Sequence, residues 1–199
     1  MTLSADGVSK TVPVTVQYDP NQQFDAAANA ATLVNALALR NQVDALNQML
    51  NRLSAWQTAL QGYATTAENA SSSMDATQRA LLDQAKALDK QVTALRNSIY
   101  NPLLQHEVIE DDIHYLQDLH ANLEMTYQMV ASLQNQAPTP PMQSLMTEYG
   151  GQLAQKLASF NALLGNGVAA WNAAAYKAGA PTLPAGAPIG VAPTPGIGT

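Results

Sequence analysis

Three residues spaced four apart carry the most specific chemistry in this chain. His106, Glu110 and His114 would share one face of a continuous helix, because positions four apart stack along the same side. Two imidazoles and a carboxylate form a ligand set for zinc or another divalent ion. Around them lie Glu107, Asp111, Asp112, Asp118 and His120. The same stretch therefore also reads as a solvated acidic face, in which Glu110 and Asp118 pair with a protonated His114. The solvated face is the expectation here, and a metal-dependent enzyme built on His106, Glu110 and His114 is the alternative. His120 follows Leu119 beside an apolar stripe, where a histidine is expected to be partly buried and hydrogen-bonded.

Other chemistries find less support. Neighbouring carboxylates suggest the acid–base pair of glycoside hydrolysis, but no cleft can be argued around them. Trp56 and Trp171 have the faces needed to stack on sugars, yet at helical spacing among Leu and Phe they read as core. Gly150-Gly151 and Gly165-Asn166-Gly167 follow no strand and precede no Gly-Lys-Ser/Thr, so they make no phosphate loop. With no cysteine in the chain, disulfides, thiol catalysis and Cys-ligated zinc are excluded. The expectation is a non-enzymatic chain that takes no cofactor.

Composition narrows the partners. Of 199 residues only 12% are charged, the net charge is −6, and residues 103–136 contain no Lys or Arg. Phosphate neutralisation needs clustered cations, so nucleic acid is not an expected partner. The N-terminal MTLSADGVSK lacks the charged and apolar regions of a signal peptide. No apolar run approaches the ~20 residues of a membrane span.

The elements that would position these residues are mostly helices. Residues 1–10 are polar and expected to be loose, and then Val12, Val14, Val16 and Tyr18 alternate with polar positions as in a half-buried strand. Asp19-Pro20-Asn21-Gln22 reads as a cap and first turn, opening a helix from Pro20 to about Ala67. Leu39, Val43, Leu46, Leu50, Leu53 and Leu60 form its seam, and Met49, Trp56 and Tyr63 form a second stripe seven apart. Two stripes predict a bundle. Leu81, Ala85, Leu88, Val92, Leu95 and Ile99 continue the spacing through a second helix, Asp75 to Tyr100, antiparallel to the first. A third is expected over 104–134, and a fourth opens at Thr139-Pro140 and weakens at Gly165–Gly167. From Gly179 onward, five glycines and five prolines predict a flexible tail. The expected fold is all-α: an elongated antiparallel bundle of about four helices over 19–178, preceded by a loop and one unpaired β-strand over 1–18, and followed by the tail 179–199.

Several segments resemble the C-terminal region of bacterial sortilin-like, Asp-box (BNR) repeat β-propeller proteins, often labelled glycosyl hydrolases. They are KTVPVTVQYDP at 10–20, SIYNP at 98–102, EDDIHYLQDL at 110–119 and Pro-Thr-Pro at 138–140, then EYGGQLAQKL at 148–157, FNALL at 160–164 and AAWN at 169–172. The resemblance covers about 10–178. It implies that the strand closes a preceding β-sandwich, whose other strands lie upstream, and that hydrolysis or ligand binding belongs to the propeller. No Asp-box motif occurs here, so no catalytic residue carries over. By analogy the location is periplasmic or extracellular. The expected function is a non-catalytic accessory bundle for interdomain packing or assembly, its partner an upstream propeller or sandwich, or a second copy. A stand-alone secreted interaction or membrane-active protein is the other reading. The expected contacts are Val12, Val14, Val16, Tyr18, Met49, Trp56 and Tyr63.

Overall fold

A computed structural model describes residues 1–15, 17, 19–21, 23–102 and 118–194. It is an all-α bundle carrying a small N-terminal sheet. The elements are β1 (Thr2–Ala5), β2 (Val8–Thr11), α1 (Ala26–Asn69), a 3₁₀ turn (Ser71–Ser73), α2 (Ala76–Asn97), α3 (Leu119–Ala131), α4 (Pro140–Leu163), a π-helical turn (Leu164–Val168) and α5 (Ala169–Lys177).

The strand differs from the expectation in place and in partner. β1 and β2 pair with each other, Thr2 opposite Thr11 and Ala5 opposite Val8. Asp6 and Gly7 form the turn at φ 50° and 77°. Positive φ at both central residues is the mirror-image turn that matches strand twist, and Asp-Gly is its preferred sequence. Residues 12–15 have no regular structure, and Val16 and Tyr18 lie outside the described residues. Every residue of both strands is exposed.

α1 begins later than its first cap signal. Asp19 accepts from the backbone N–H and the side-chain amide of Asn21, a local turn, while Asp25 accepts from Ala28 N–H and caps the helix. Asn135, at φ 57°, holds that cap in place: its Oδ1 accepts from Asp25 N–H at 2.5 Å and from Asn29 Nδ2 at 2.9 Å, and its Nδ2 donates to Gln23 O. Forty-four residues then run unbroken, roughly 65 Å of helix.

Side-chain pairs fix how the helices run. Gln57 bonds Thr93, Gln61 bonds Asp89 and Glu68 meets Lys86, so α2 descends as α1 rises. His120 meets Asn47 and Thr32 donates to Gln136 O, so α3 is antiparallel to α1 as well, along its first half. α4 and α5 form one rod parallel to α1: Gly150 lies against Gln42, Phe160 stacks on Trp56 at 5.0 Å, and Trp171 meets the edge of Tyr63 at 5.2 Å. The bundle is thus three rods in cross-section, with α2 and α3 end to end as one of them. The core runs its length through Leu39, Leu46, Leu53, Leu60, Leu123, Leu153 and Val168.

The π turn has a sequence cause. Inward positions of the last rod run Leu153, Leu157, Phe160, Leu164, Val168, Trp171 and Ala175, with two successive steps of four across Leu164. Two steps of four overrun an α-helical turn, and a wider π turn absorbs the extra residue so that Leu164 and Val168 both stay inside. Gly167 allows α2 close: a Cβ there would lie 2.9 Å from Leu88 Cδ1.

The tail after Gly179 departs most from the expectation. It has no regular secondary structure, yet Leu183 and Ile189 are 4% and 5% exposed and belong to the core. Residues 180–194 lie along the bundle as a fourth strand of chain.

Candidate functional site: a groove that holds an extended strand

The groove lies between α1 and the α4–α5 rod. At 100° per residue, Asn41, Arg52 and Trp56 fall within about 60° of one another on α1, while Gln57, Gln61 and Asn47 face the far side toward α2 and α3. The rod contributes Asn161 on α4 and Asn172 on α5. Into this furrow the tail runs antiparallel to both helices.

Each asparagine on the rod grips the main chain of one tail residue twice, at its N–H and at its C=O. Asn172 Nδ2 donates to Leu183 O at 2.9 Å, and its Oδ1 accepts from Leu183 N–H at 2.7 Å. Asn161 does the same at Ile189, at 2.8 and 2.9 Å. Asn161 and Asn172 stand about 16 Å apart on the rod, three helical turns. An extended strand covers that distance in the six residues from 183 to 189, with Gly186 at φ 65° taking up the slack. From α1, Trp56 Nε1 donates to Pro184 O at 2.7 Å, and Arg52 NH1 donates to Ala185 O at 3.2 Å and Ala187 O at 2.5 Å. Asn41 Nδ2 reaches Ala192 O at 3.2 Å and Pro193 O at 3.4 Å.

The division of labour follows from the tail's composition. Pro184 and Pro188 have no N–H, so they bring no donor to bury. The carbonyls of Pro184, Ala185 and Ala187, between the two anchors, are met by Trp56 and Arg52. Burying a main chain without such partners would cost about 1–3 kcal/mol for each unmet group. Leu183 and Ile189 supply the apolar burial.

Of the residues expected to act, few sit at this groove. Trp56 and Met49 are fully buried within the chain's own core, so neither side chain has surface to offer a second copy; this corrects their place among the expected contacts. Tyr63 is half-buried against Trp171. Val12 and Val14 are 51% and 63% exposed, outside any strand. His106, Glu110 and His114 lie outside the described residues, as do Val16 and Tyr18. Among the described residues no group of three His, Asp or Glu side chains could hold a metal. Asp118, read as part of the acidic face, caps α3: one oxygen accepts from Ala121 N–H at 2.8 Å and the other from Asn101 N–H. His120 is partly buried, its Nε2 3.1 Å from Asn47 Oδ1 and its ring edge-on to Tyr100, in an open pocket of about 300 Å³. Trp171 is core.

Sequence reasoning missed the asparagines and Arg52 altogether. Their signal was slight: polar residues flanking an apolar seam, with nothing to show that a segment rich in proline would return to meet them.

Fold and groove together define a helical-bundle module that holds an extended segment by its main chain. No family model, curated protein or solved structure matches the chain.

Proposed function

We propose that this chain is a non-catalytic helical module that packs against a β-rich partner through its N-terminal part. The observation that carries the reading is where apolar surface is left uncovered. Among the described residues, eight of the twelve exposed large apolar side chains fall within the first 34 positions, among them Leu3, Val8, Val12, Val14, Leu33 and Val34. Scattered single exposures are ordinary, but a concentration at one end marks an interaction surface. The hairpin adds open strand edges, with β1 and β2 the two strands of its sheet. A sheet of two strands is marginal alone and gains stability by joining another.

The resemblance to sortilin-like propeller proteins supplies the partner's kind: a β-sandwich or propeller to which such a module is joined, outside the cytoplasm. Its mechanism would be burial of these apolar residues at an interdomain surface.

Hydrogen exchange on the protein purified from its source, set beside this chain alone, tests the reading. Slow exchange over residues 2–14 and the first turns of α1 in the source protein, and fast exchange in the isolated chain, is expected. Equal exchange in both would overturn it. A triple change Leu3→Ser, Val12→Ser, Leu33→Ser should leave the isolated chain's stability within about 0.5 kcal/mol per site, while weakening the contact.

A further inference from the structure

We infer that the groove between α1 and the α4–α5 rod is a binding site for an extended, proline-containing peptide strand of a partner, which the chain's own segment 180–194 occupies in cis. The inference is independent of the N-terminal surface.

The seated tail shows the chemistry an occupant needs. Every polar contact described between the bundle and residues 183–189 runs from a bundle side chain to tail main chain. Main-chain recognition is blind to most of the occupant's side chains, and so accepts other sequences. Three positions are restricted. The residues at 183 and 189 must be apolar, since both are buried. The residue at 186 must be glycine: its φ is 65°, and a Cβ there would lie 3.0 Å from the Arg52 guanidinium. The prolines at 184 and 188 match positions from which no N–H is taken. The pattern is apolar-Pro-x-Gly-x-Pro-apolar, which the chain presents as LPAGAPI. A proline-rich strand is already extended before it binds, so ordering it costs little.

Displacement from the site is chemically simple. No residue from 180 to 194 is charged, and Gly179 at φ 67° ends α5 and turns the chain back. The short connection gives the cis tail a high effective concentration. A partner strand therefore binds weakly until the tail yields, and the tail sets the threshold.

The probe is a fluorescein-labelled peptide of residues 182–193, and the readout is its anisotropy with the full chain. The change Leu183→Asp with Ile189→Asp releases the cis tail; this variant should bind the peptide at least tenfold more tightly than the unaltered chain does. Adding Asn161→Ala and Asn172→Ala should reverse that gain. A released variant that keeps its helical circular dichroism but binds the peptide no better than a scrambled one overturns the inference. Should release unfold the bundle, the unaltered chain still decides. Unlabelled peptide should then speed exchange of the Leu183 and Ile189 amides, where the scrambled peptide does not, and unchanged exchange is the overturning result. Concentration-dependent dimers with exchanged tails, indifferent to free peptide, would make a second copy the occupant and overturn a foreign strand.

Discussion

At Asn161 and Asn172 a carboxamide accepts from one tail residue's N–H and donates to the same residue's carbonyl at once. An aspartate has the same shape but no donor, and it would set a carboxylate against a carbonyl. Asn172→Asp should therefore loosen the strand at Leu183 by about 1–2 kcal/mol, which is roughly a tenfold faster exchange of that amide. Helix content should not change, and amide exchange followed by NMR checks both points. Tyr63 offers a second test at this scale. Burial against Trp171 raises its hydroxyl above the ordinary value of 10.0. A raised folded value means that the neutral phenol's contribution is whole below pH 10 and is lost as pH climbs through the folded value. Ultraviolet titration should show one phenol ionising late, absent in Tyr63→Phe, and Tyr63→Phe should lessen the loss of stability above pH 10.

Caps and glycines decide matters at the scale of elements. Asp75 and Gln78 form a reciprocal capping box at the start of α2, each side chain bonding the other's backbone N–H at 2.8 and 3.0 Å. Asp75→Ala should cost about 1 kcal/mol in denaturant unfolding. The π turn carries two glycines with opposite surroundings. A Cβ at Gly165 meets nothing within 4 Å, whereas one at Gly167 presses on Leu88 and Leu163. Gly165→Ala should thus stabilise by up to about 1 kcal/mol, and Gly167→Ala should destabilise. A Tm that moves upward for both would mean that α2 does not pack closely on the π turn.

Across the whole molecule, Phe160 is where the rods and the strand converge. It stacks on Trp56, whose indole N–H holds the tail at Pro184, and Arg52 lies 6.0 Å over its ring. Phe160→Ala should cost about 3–5 kcal/mol and should free the tail as well. Stability and tail protection should therefore fall together, as thermal unfolding and amide exchange on one sample would show. Changes confined to the hairpin should move neither, because every residue of its strands is exposed.

The seams of α1, α2 and the last rod were legible because helical period and apolar spacing are local properties. Leu39 to Leu60 and Leu81 to Ile99 lie where their spacing puts them, and Thr139-Pro140 opens α4. The hairpin was legible too, in Asp6-Gly7, but the longer valine alternation that follows outweighed it; of that alternation Val12 joins the hairpin's ladder by exchanging backbone bonds with Met1, and residues 12–15 form no strand of their own. Two candidate caps, Asp19 and Asp25, stand within seven residues, and Asn135, over a hundred positions away, holds the second in place. The tail is the clearest case. Its proline and glycine content correctly denied it helix or strand, since those residues break both ladders. What composition could not convey is that Asn161, Asn172, Trp56 and Arg52 would stand ready to satisfy its peptide groups. Sequence alone determined the helical seams of α1, α2 and the α4–α5 rod, from local sterics and period. Tertiary structure decided where the irregular segments rest, because their backbone bonds are met by residues far along the chain.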